Sequence, residues 1–216
     1  MAGAAGKEDV LNFRLGQHMG LVGSTGGGKT YWAKHFLLPR FNRVLVVDSE
    51  QMEFDDYRLL KIGSESPRVL KASIPRDVKK GFHWRISPPR AAKPQWMEGI
   101  AAALLDITDS HMVVYIDEVT DFSDAQWIGD MMKELVRKGR KRHLSVVWAS
   151  QRAPGVNHWL AENSVWRVLF FTLPFDRVKM DKFWPGMSKV VAGIEYDSHD
   201  FIMITPSGAI KIYGAV

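Results

Sequence analysis

The chain contains 216 residues, of which 46% are hydrophobic and 25% charged, and its formal net charge is +5 at pH 7. No apolar run approaches the ~20 residues of a membrane-spanning helix, and the amino terminus lacks the apolar core of a signal peptide, so no stable membrane span is expected. The absence of cysteine excludes disulfides and thiolate metal sites. We expect a single domain over residues 1–216, in which residues 1–12 form a loose amino-terminal arm.

Apolar runs bounded by glycine, proline or charge predict six β-strands, because such β-branched stretches are typical of strands buried on both faces. The runs lie at residues 19–22, 43–47, 82–86, 112–116, 144–149 and 165–173. Helical patterns lie between them at residues 29–38, 95–108 and 124–138. This alternation predicts an α/β fold with a mostly parallel sheet covered by helices on both faces. The stretches 201–205 and 209–213 flank Pro206-Ser207-Gly208 and predict a carboxy-terminal β-hairpin.

The segment GSTGGGKT, residues 23–30, matches the phosphate-binding Walker A pattern G-x-x-x-x-G-K-[ST]. Its glycines allow successive backbone N–H groups to curl around phosphate oxygens. Lys29 is expected to reach the β- and γ-phosphates, and the Thr30 hydroxyl to hold Mg²⁺. The helix that follows points its positive amino end at the nucleotide and is predicted to end at Pro39. The pattern therefore predicts an ATP site formed by Gly23, Ser24, Thr25, Gly26, Gly27, Gly28, Lys29 and Thr30.

The fourth apolar run ends in Asp117-Glu118, which is typical of a Walker B strand. A carboxylate at the end of this strand can hold the Mg²⁺ bound by Thr30, which assigns Asp117 as a metal ligand. Glu118 is then placed to deprotonate a water molecule and is the predicted catalytic base. The alternative is a strand that ends in acidic residues without a catalytic role.

The next predicted strand is followed by Gln151, which is a candidate catalytic residue. An amide at the end of a strand that neighbours Walker B can contact the γ-phosphate. The alternative is that Gln151 caps a helix. Its position one strand after Asp117-Glu118 favours the role at the γ-phosphate.

Two stretches carry the positive charge, while the rest of the chain is acidic. Residues 61–93 contain nine Lys or Arg against two acidic residues, a balance of +7, and residues 133–143 contain six against one, a balance of +5. The remainder therefore carries −7. Two basic stretches on an acidic chain indicate a polyanionic partner. Solvated surface faces are the alternative that charge alone leaves open.

Four segments, taken together, indicate a known family. They are GSTGGGKT, VLVVDSEQMEF after the second predicted strand, VVYIDE, and RKGRKRHLSVVWASQRAP. They resemble the FtsK–HerA superfamily of ring ATPases, and the last segment is the most specific because Walker motifs alone fit dozens of families. The resemblance covers about residues 18–180 and implies a RecA/FtsK-like P-loop NTPase fold that binds ATP and Mg²⁺. Asp48-Ser49-Glu50 stands where the family often has Asp-Pro-Lys, which leaves the role of Asp48 open.

The resemblance also implies an arginine that acts on the ATP site of a neighbouring subunit. Arg140 is the first candidate and Arg137 the second, since both stand at the exit of the helix after Walker B, a region that faces the adjacent protomer in the family. Arg152, next to Gln151, suits a role within its own subunit. The alternative is that these arginines cap a helix or contact DNA.

The chain length is similar to that of the genome-packaging ATPases of tailless double-stranded DNA viruses. The resemblance thus implies an ATP-hydrolysing double-stranded DNA translocase that packages a viral genome into a preformed capsid. The implied partners are double-stranded DNA, further copies of the chain in a pentameric or hexameric ring, and a capsid or vertex protein. The implied location is the host cytoplasm or the virion packaging vertex. Two alternatives remain: a cellular HerA-like or plasmid-transfer DNA-pumping ATPase, and a nucleotide-dependent assembly switch that translocates nothing.

Three further groups of residues complete the predictions. Lys79 and Lys80, in the loop-rich stretch 76–85, are the expected DNA phosphate contacts. Most of the eight tryptophans are expected to pack in the core or between subunits, because duplex DNA offers no free base faces. The seven histidines show no metal-ligand spacing and are expected to be structural or solvated.

Overall fold

The computed structural model describes residues 12–49, 54–60, 67–89, 93–107, 109–182, 184–195 and 199–214. Within these ranges nine strands form one sheet in the order β3-β4-β2-β5-β6-β1-β7-β8-β9. The strands are β1 Met19–Val22, β2 Arg43–Asp48, β3 Arg58–Leu59, β4 Phe82–Ile86, β5 Met112–Asp117, β6 Leu144–Ser150, β7 Trp166–Leu169, β8 Phe201–Ile204 and β9 Ile210–Tyr213. The predicted loose arm lies outside the described residues, except for Asn12.

The sheet is mostly parallel, as the alternation of strands and helices predicts. Strands β1 to β7 pair in parallel, whereas β8 is antiparallel to both β7 and β9. Strands β8 and β9 form the predicted hairpin, which extends one edge of the sheet. The α/β fold class is therefore confirmed.

Seven α-helices accompany the sheet in the described part of the chain. They are α1 Lys29–Trp32, α2 Pro67–Ser73, α3 Lys93–Leu105, α4 Asp130–Gly139, α5 His158–Asn163, α6 Pro174–Met180 and α7 Met187–Val191. Helix α1 continues as a π-helical turn, Ala33–Leu37, and a 3₁₀ turn, Leu38–Arg40. None of the described helices combines the length and the apolar character needed to cross a membrane.

Several element boundaries differ from the sequence predictions, and the helix predicted at 95–108 spans Lys93–Leu105. The first helical segment does not end at Pro39, because proline is tolerated at the start of the 3₁₀ turn, and the chain becomes extended only at Phe41. The helix predicted from residue 124 begins at Asp130, since the Asp124 side chain accepts the N–H groups of Gln126 and Trp127 and closes a turn instead. The strand predicted at 165–173 is reduced to β7. The predicted helical residue Thr108 lies outside the described residues.

Helices cover both faces of the sheet, but unequally. Successive residues of β2 point to opposite faces, so that Leu45 and Val47 join one buried cluster and Val44 and Val46 the other. The first cluster receives side chains from six helices: Leu70, Ile100, Leu135, Leu160, Met180 and Val191. The second is covered by α1 through Trp32 and Leu37, with Phe13 and Phe54 beside it. A sheet buried on both faces explains why the central strands are almost continuously apolar.

Five of the eight tryptophans are buried, which confirms packing as their main role. Trp148 shows how tightly the core is filled, because a Cβ placed on Gly20 would lie 2.3 Å from its ring. Its Nε1 donates a hydrogen bond of 2.8 Å to the Ser164 hydroxyl. Trp127 is an exception, with 45% of its surface exposed.

Candidate active site

The predicted ATP-site residues meet at the carboxyl ends of three adjacent strands. Strand β6 lies between β5 and β1, and all three run in parallel. Their carboxyl ends carry Asp117 on β5, Gln151 after β6 and the glycine loop after β1. Ligands of open α/β sheets bind at this edge. The fold therefore brings together residues that the sequence separates.

The backbone of the loop, residues 23–30, requires glycine at several positions. Gly26 and Gly28 have φ values of 76° and 94°, which L side chains rarely adopt. A Cβ on Gly23 would lie 2.6 Å from Cβ of Phe170. The loop is fastened at both sides by backbone hydrogen bonds, from Gly23 to the Ser150 carbonyl and from Ser24 to the Phe171 carbonyl. The conformation of the loop is thus held by the end of β6 and by the segment that follows β7.

Lys29 and Thr30 open helix α1 and face the site. The Nζ atom of Lys29 donates to the carbonyls of Gly23 and Ser24, at 2.7 and 3.1 Å, so the buried ammonium group closes the loop on itself. The Thr30 hydroxyl donates to Oδ1 of Asp117 over 3.3 Å. A hydroxyl and a carboxylate in contact form the oxygen-rich ligand set that Mg²⁺ prefers, so these residues fit the predicted ion.

Glu118 adopts a strained backbone conformation at the end of β5. Its φ of 57° is unusual for a residue with a side chain and occurs typically at functional sites. One carboxylate oxygen accepts the backbone N–H of Gln151 at 2.8 Å, and the other accepts the Thr120 hydroxyl. The Gln151 side chain in turn accepts the Thr25 hydroxyl at 2.8 Å. Gln151 therefore connects the predicted base to the phosphate loop.

An aromatic pocket of about 380 Å³ adjoins the loop. Tyr31, Phe36, His199 and Phe201 line it together with Gly28 and Thr30. Flat apolar walls beside a phosphate loop fit a purine base. Sequence reasoning missed this pocket because its walls come from α1 and from residues before and within β8, and no motif joins them.

The two predicted inter-subunit arginines lie at the opposite edge of the sheet. Helix α4 runs from the site edge to the amino ends of the strands, and Arg137 and Arg140 stand at its far end, just before β6. Arg137 donates twice to Glu134, at 2.9 and 2.8 Å. Arg140 is exposed and has no side-chain partner among the described residues. Neither arginine belongs to the ATP site of its own subunit.

Arg152 is engaged within its own subunit, where sequence reasoning placed it. Its guanidinium forms hydrogen bonds of 2.9 and 3.2 Å with the two carboxylate oxygens of Asp176, which is almost fully buried. This hydrogen-bonded pair raises the pKa of Arg152. The contact joins the segment after β6 to helix α6.

Asp48 and Arg85 form an ion pair on the site side of the sheet. Asp48 is buried, pairs in register with Asp117, and lies 3.6 Å from the Arg85 guanidinium, which also contacts Asp55. The sequence left the role of Asp48 open, and the structure gives this residue an ion pair. Glu50 lies outside the described residues. Arg85 also belongs to the basic stretch 76–85, whose contact with DNA stays a prediction.

Lys79 and Lys80 are exposed in the loop that precedes β4. The backbone N–H of Lys79 donates to the Asp77 side chain, which fixes the turn. The loop lies at the amino edge of the sheet, as Arg140 does, because β4 and β6 run in parallel with their neighbours. Lys61 and Arg90, from the same basic stretch, lie outside the described residues.

The strand order, the glycine loop and the acidic end of β5 define the class of protein. The chain has the fold of P-loop ATPases, with the predicted nucleotide-site residues gathered at one edge of the sheet. This class includes many motors and switches, which have the phosphate loop in common.

The fold is similar, over most of the chain, to solved structures of viral packaging enzymes. The genome packaging NTPase B204 from Sulfolobus turreted icosahedral virus 2, in complex with ATP-gammaS, has a TM-score of 0.75 at 16% identity, covering 94% of this chain and 100% of that chain. The DNA-packaging ATPase B204 from Sulfolobus turreted icosahedral virus has a TM-score of 0.72 at 14% identity, covering 94% and 100%. VirB4 of Thermoanaerobacter pseudethanolicus has a TM-score of 0.64 at 12% identity, covering 92% and 88%. Neither a protein-family model nor a curated protein sequence matches the chain.

These structures confirm the predicted resemblance at the level of the fold, since the chain is similar in fold to two viral packaging enzymes and to VirB4. The roles of individual residues stay predictions.

Proposed function

We propose that the chain is an ATP-hydrolysing motor that translocates double-stranded DNA and packages a viral genome into a preformed capsid. The observation that carries this proposal is the meeting of Lys29, Thr30, Asp117, Glu118 and Gln151 at one sheet edge. The support for DNA packaging is the likeness in fold, over 94% of this chain and 100% of the other, to an NTPase described as genome packaging.

In the proposed reaction each residue of the site has one task. Lys29 leaves the carbonyls of Gly23 and Ser24 and donates to the β- and γ-phosphate oxygens instead. Thr30 and Asp117 would hold Mg²⁺, and the bound ion would neutralise charge on those oxygens. Glu118 accepts a proton from the attacking water. The Gln151 amide exchanges its contact with Thr25 for one with the γ-phosphate.

The proposed motor is a ring in which each subunit completes its neighbour's site. Arg140 has no side-chain partner among the described residues and lies at the edge away from its own ATP site, so its charge is available to an adjacent subunit. A cation delivered in this way stabilises charge on the transferred γ-phosphoryl group. A pentameric or hexameric ring fits this arrangement, with a capsid or vertex protein as its partner. The location would be the host cytoplasm or the packaging vertex of the virion.

We propose that DNA contacts Lys79 and Lys80. Both are exposed, and the loop that carries them is held by Asp77. They lie at the same edge of the sheet as Arg140. Contacts to phosphates alone would bind DNA irrespective of its sequence.

The test is ATPase activity of the purified chain with and without double-stranded DNA. We expect hydrolysis that duplex DNA stimulates, and none above background in a Glu118→Gln control, which excludes a contaminating ATPase. Hydrolysis that DNA leaves unchanged would favour an assembly switch. If a DNA-stimulated chain moved duplex DNA but never associated with a capsid protein, the cellular or plasmid-transfer alternative would replace packaging.

A further inference from the structure

Three metal-ligating side chains cluster at the amino edge of the sheet, away from the ATP site. Asp109 and His111 precede β5, and His143 precedes β6. Because Met112 and Leu144 are partners in the parallel pairing of these strands, the residues immediately before them lie side by side. One ligand atom from each of Asp109, His111 and His143 lies within 4.8 Å of the other two. Sequence spacing concealed this cluster, since pairing between strands creates it.

The backbone presents both imidazoles in the same unusual way. His111 has a φ of 40° and His143 a φ of 52°, in the left-handed region that residues with side chains seldom adopt. Their rings stack with centroids 4.3 Å apart and planes inclined by 26°. Backbone hydrogen bonds from Met112 to the His143 carbonyl, and from Ser110 to the Arg142 carbonyl, tie the two turns together. Such strain, repeated at two adjacent ligand residues, typically marks a functional site.

The spacing of the ligand atoms suits a small tetrahedral ion. Oδ1 of Asp109 lies 2.8 Å from Nε2 of His111 and 3.6 Å from Nδ1 of His143. Metal–ligand bonds of ~2.0–2.1 Å in a tetrahedron place ligand atoms about 3.3 Å apart, between those two distances. The exposed side chains can adjust to the ion and leave a fourth position for water.

The nearby arginines do not pair with the Asp109 carboxylate, whose Oδ1 faces the two imidazoles instead. The neighbouring cations Arg43 and Arg142 donate to the carbonyls of Pro75 and Ile107 and form no ion pair with Asp109. Two imidazoles and one carboxylate suit Zn²⁺ and related transition metals, whereas Mg²⁺ and Ca²⁺ prefer oxygen ligands throughout.

We propose that Asp109, His111 and His143 bind one divalent transition-metal ion of the Zn²⁺ type. The ion joins the turns that enter β5 and β6, the second of which is continuous with the 3₁₀ turn Arg140–Arg142. It would therefore brace the segment that carries Arg140. The site is separate from the nucleotide site and does not depend on the proposed function.

The experiment is a titration of the untagged, chelator-treated chain with Zn²⁺ by calorimetry, and with Co²⁺ by visible absorption. We expect one ion per chain and the intense visible bands of a tetrahedral Co²⁺ site. His111→Asn and His143→Asn should each abolish this binding. Asparagine tolerates the left-handed conformation, so both variants should remain folded. His158→Ala, which removes an exposed histidine on α5, is the matched control and should bind as the unaltered chain does.

Three outcomes would overturn the proposal. The first is no Zn²⁺ binding by the unaltered chain. The second is binding that survives both asparagine variants, or that is lost equally in His158→Ala. The third is displacement of Zn²⁺ by excess Mg²⁺, which would assign the binding to the oxygen ligands Thr30 and Asp117.

Discussion

The Thr25 hydroxyl donates a hydrogen bond of 2.8 Å to Oε1 of Gln151, although 126 positions separate the two residues. The backbone N–H of Gln151 meanwhile donates to Glu118. The phosphate loop, the residue after β6 and the predicted base therefore form one continuous chain of hydrogen bonds.

This chain of contacts predicts different effects for two substitutions. Gln151→Ala removes the amide expected at the γ-phosphate, so kcat should fall about 10- to 100-fold, the range that a hydrogen bond to a charged group supports. Thr25→Val removes the hydroxyl that donates to Gln151 but keeps the Gln151 amide. The kcat of this variant should therefore fall far less. Steady-state ATPase kinetics measure both. Equal losses would reduce Gln151 to a structural link.

Substitutions of Lys29 and of Glu118 should affect different steps, the first nucleotide binding and the second hydrolysis alone. Lys29→Ala removes the cation that contacts the phosphates, so both ATP binding and turnover should be lost. Glu118→Gln should still bind ATP, because the carboxylate acts on the water, but its turnover should fall by ~10²–10⁴. Fluorescent-nucleotide binding and phosphate release report the two steps. Near-normal turnover in Glu118→Gln would remove it as the base.

Arg140 should act on the site of a neighbouring subunit. Arg140→Ala should lower ATPase turnover by ~10³–10⁵, as loss of such arginines does in other phosphoryl-transfer systems. Mixtures of Arg140→Ala and Lys29→Ala chains, each inactive alone, should regain activity where an intact loop meets an intact arginine. Arg137→Ala is the comparison, and its pair with Glu134 predicts a smaller effect. Strong activity in both single variants would exclude both arginines.

DNA binding should depend on salt through Lys79 and Lys80. Replacing both with alanine should make the slope of log affinity against log salt shallower by about 1.8, since each phosphate contact contributes about 0.9. DNA-free ATP hydrolysis should not change, because the loop lies away from the site edge. Fluorescence anisotropy with duplexes of two different sequences measures the slope. An unchanged affinity would place the contacts elsewhere.

Acid should destabilise the fold through His18. Burial lowers the pKa of His18 from 6.5 to about 4. Val146 N–H donates to Nδ1, and Nε2 contacts the Val136 carbonyl, so both nitrogens of the neutral ring are hydrogen-bonded. His18 therefore binds a proton more readily in the unfolded chain than in the folded one. The stabilisation that the neutral ring provides should be fully present above pH ~6.5. Between pH ~6.5 and pH ~4 the free energy of unfolding should fall by up to about 3 kcal/mol.

Urea unfolding of the unaltered chain and of His18→Gln at several pH values tests this expectation. The variant should be less stable at neutral pH and should lack this part of the acid dependence. The same dependence in both proteins would assign it to other groups.

Much of the fold follows from local sequence signals. The runs that became β2, β5 and β6 are apolar on both faces, so their strand character and parallel arrangement are apparent without a structure. The ends of helices differ from the prediction where a side chain competes for backbone hydrogen bonds. Asp124 does this ahead of α4. Short helices such as α5, α6 and α7 escaped prediction because five to seven residues carry too little periodicity.

The sequence alone determined the phosphate loop and the acidic end of β5, because both depend on consecutive residues whose backbone and charge requirements are local. The tertiary structure decided how distant segments meet. Strand order placed Gln151 between Thr25 and Glu118, gave Asp48 its ion pair with Arg85, and left Arg140 at the far edge of the sheet. Parallel pairing of β5 with β6 also brought His111 beside His143. Contacts of this kind arise from the order and register of strands, which no single segment of the chain encodes.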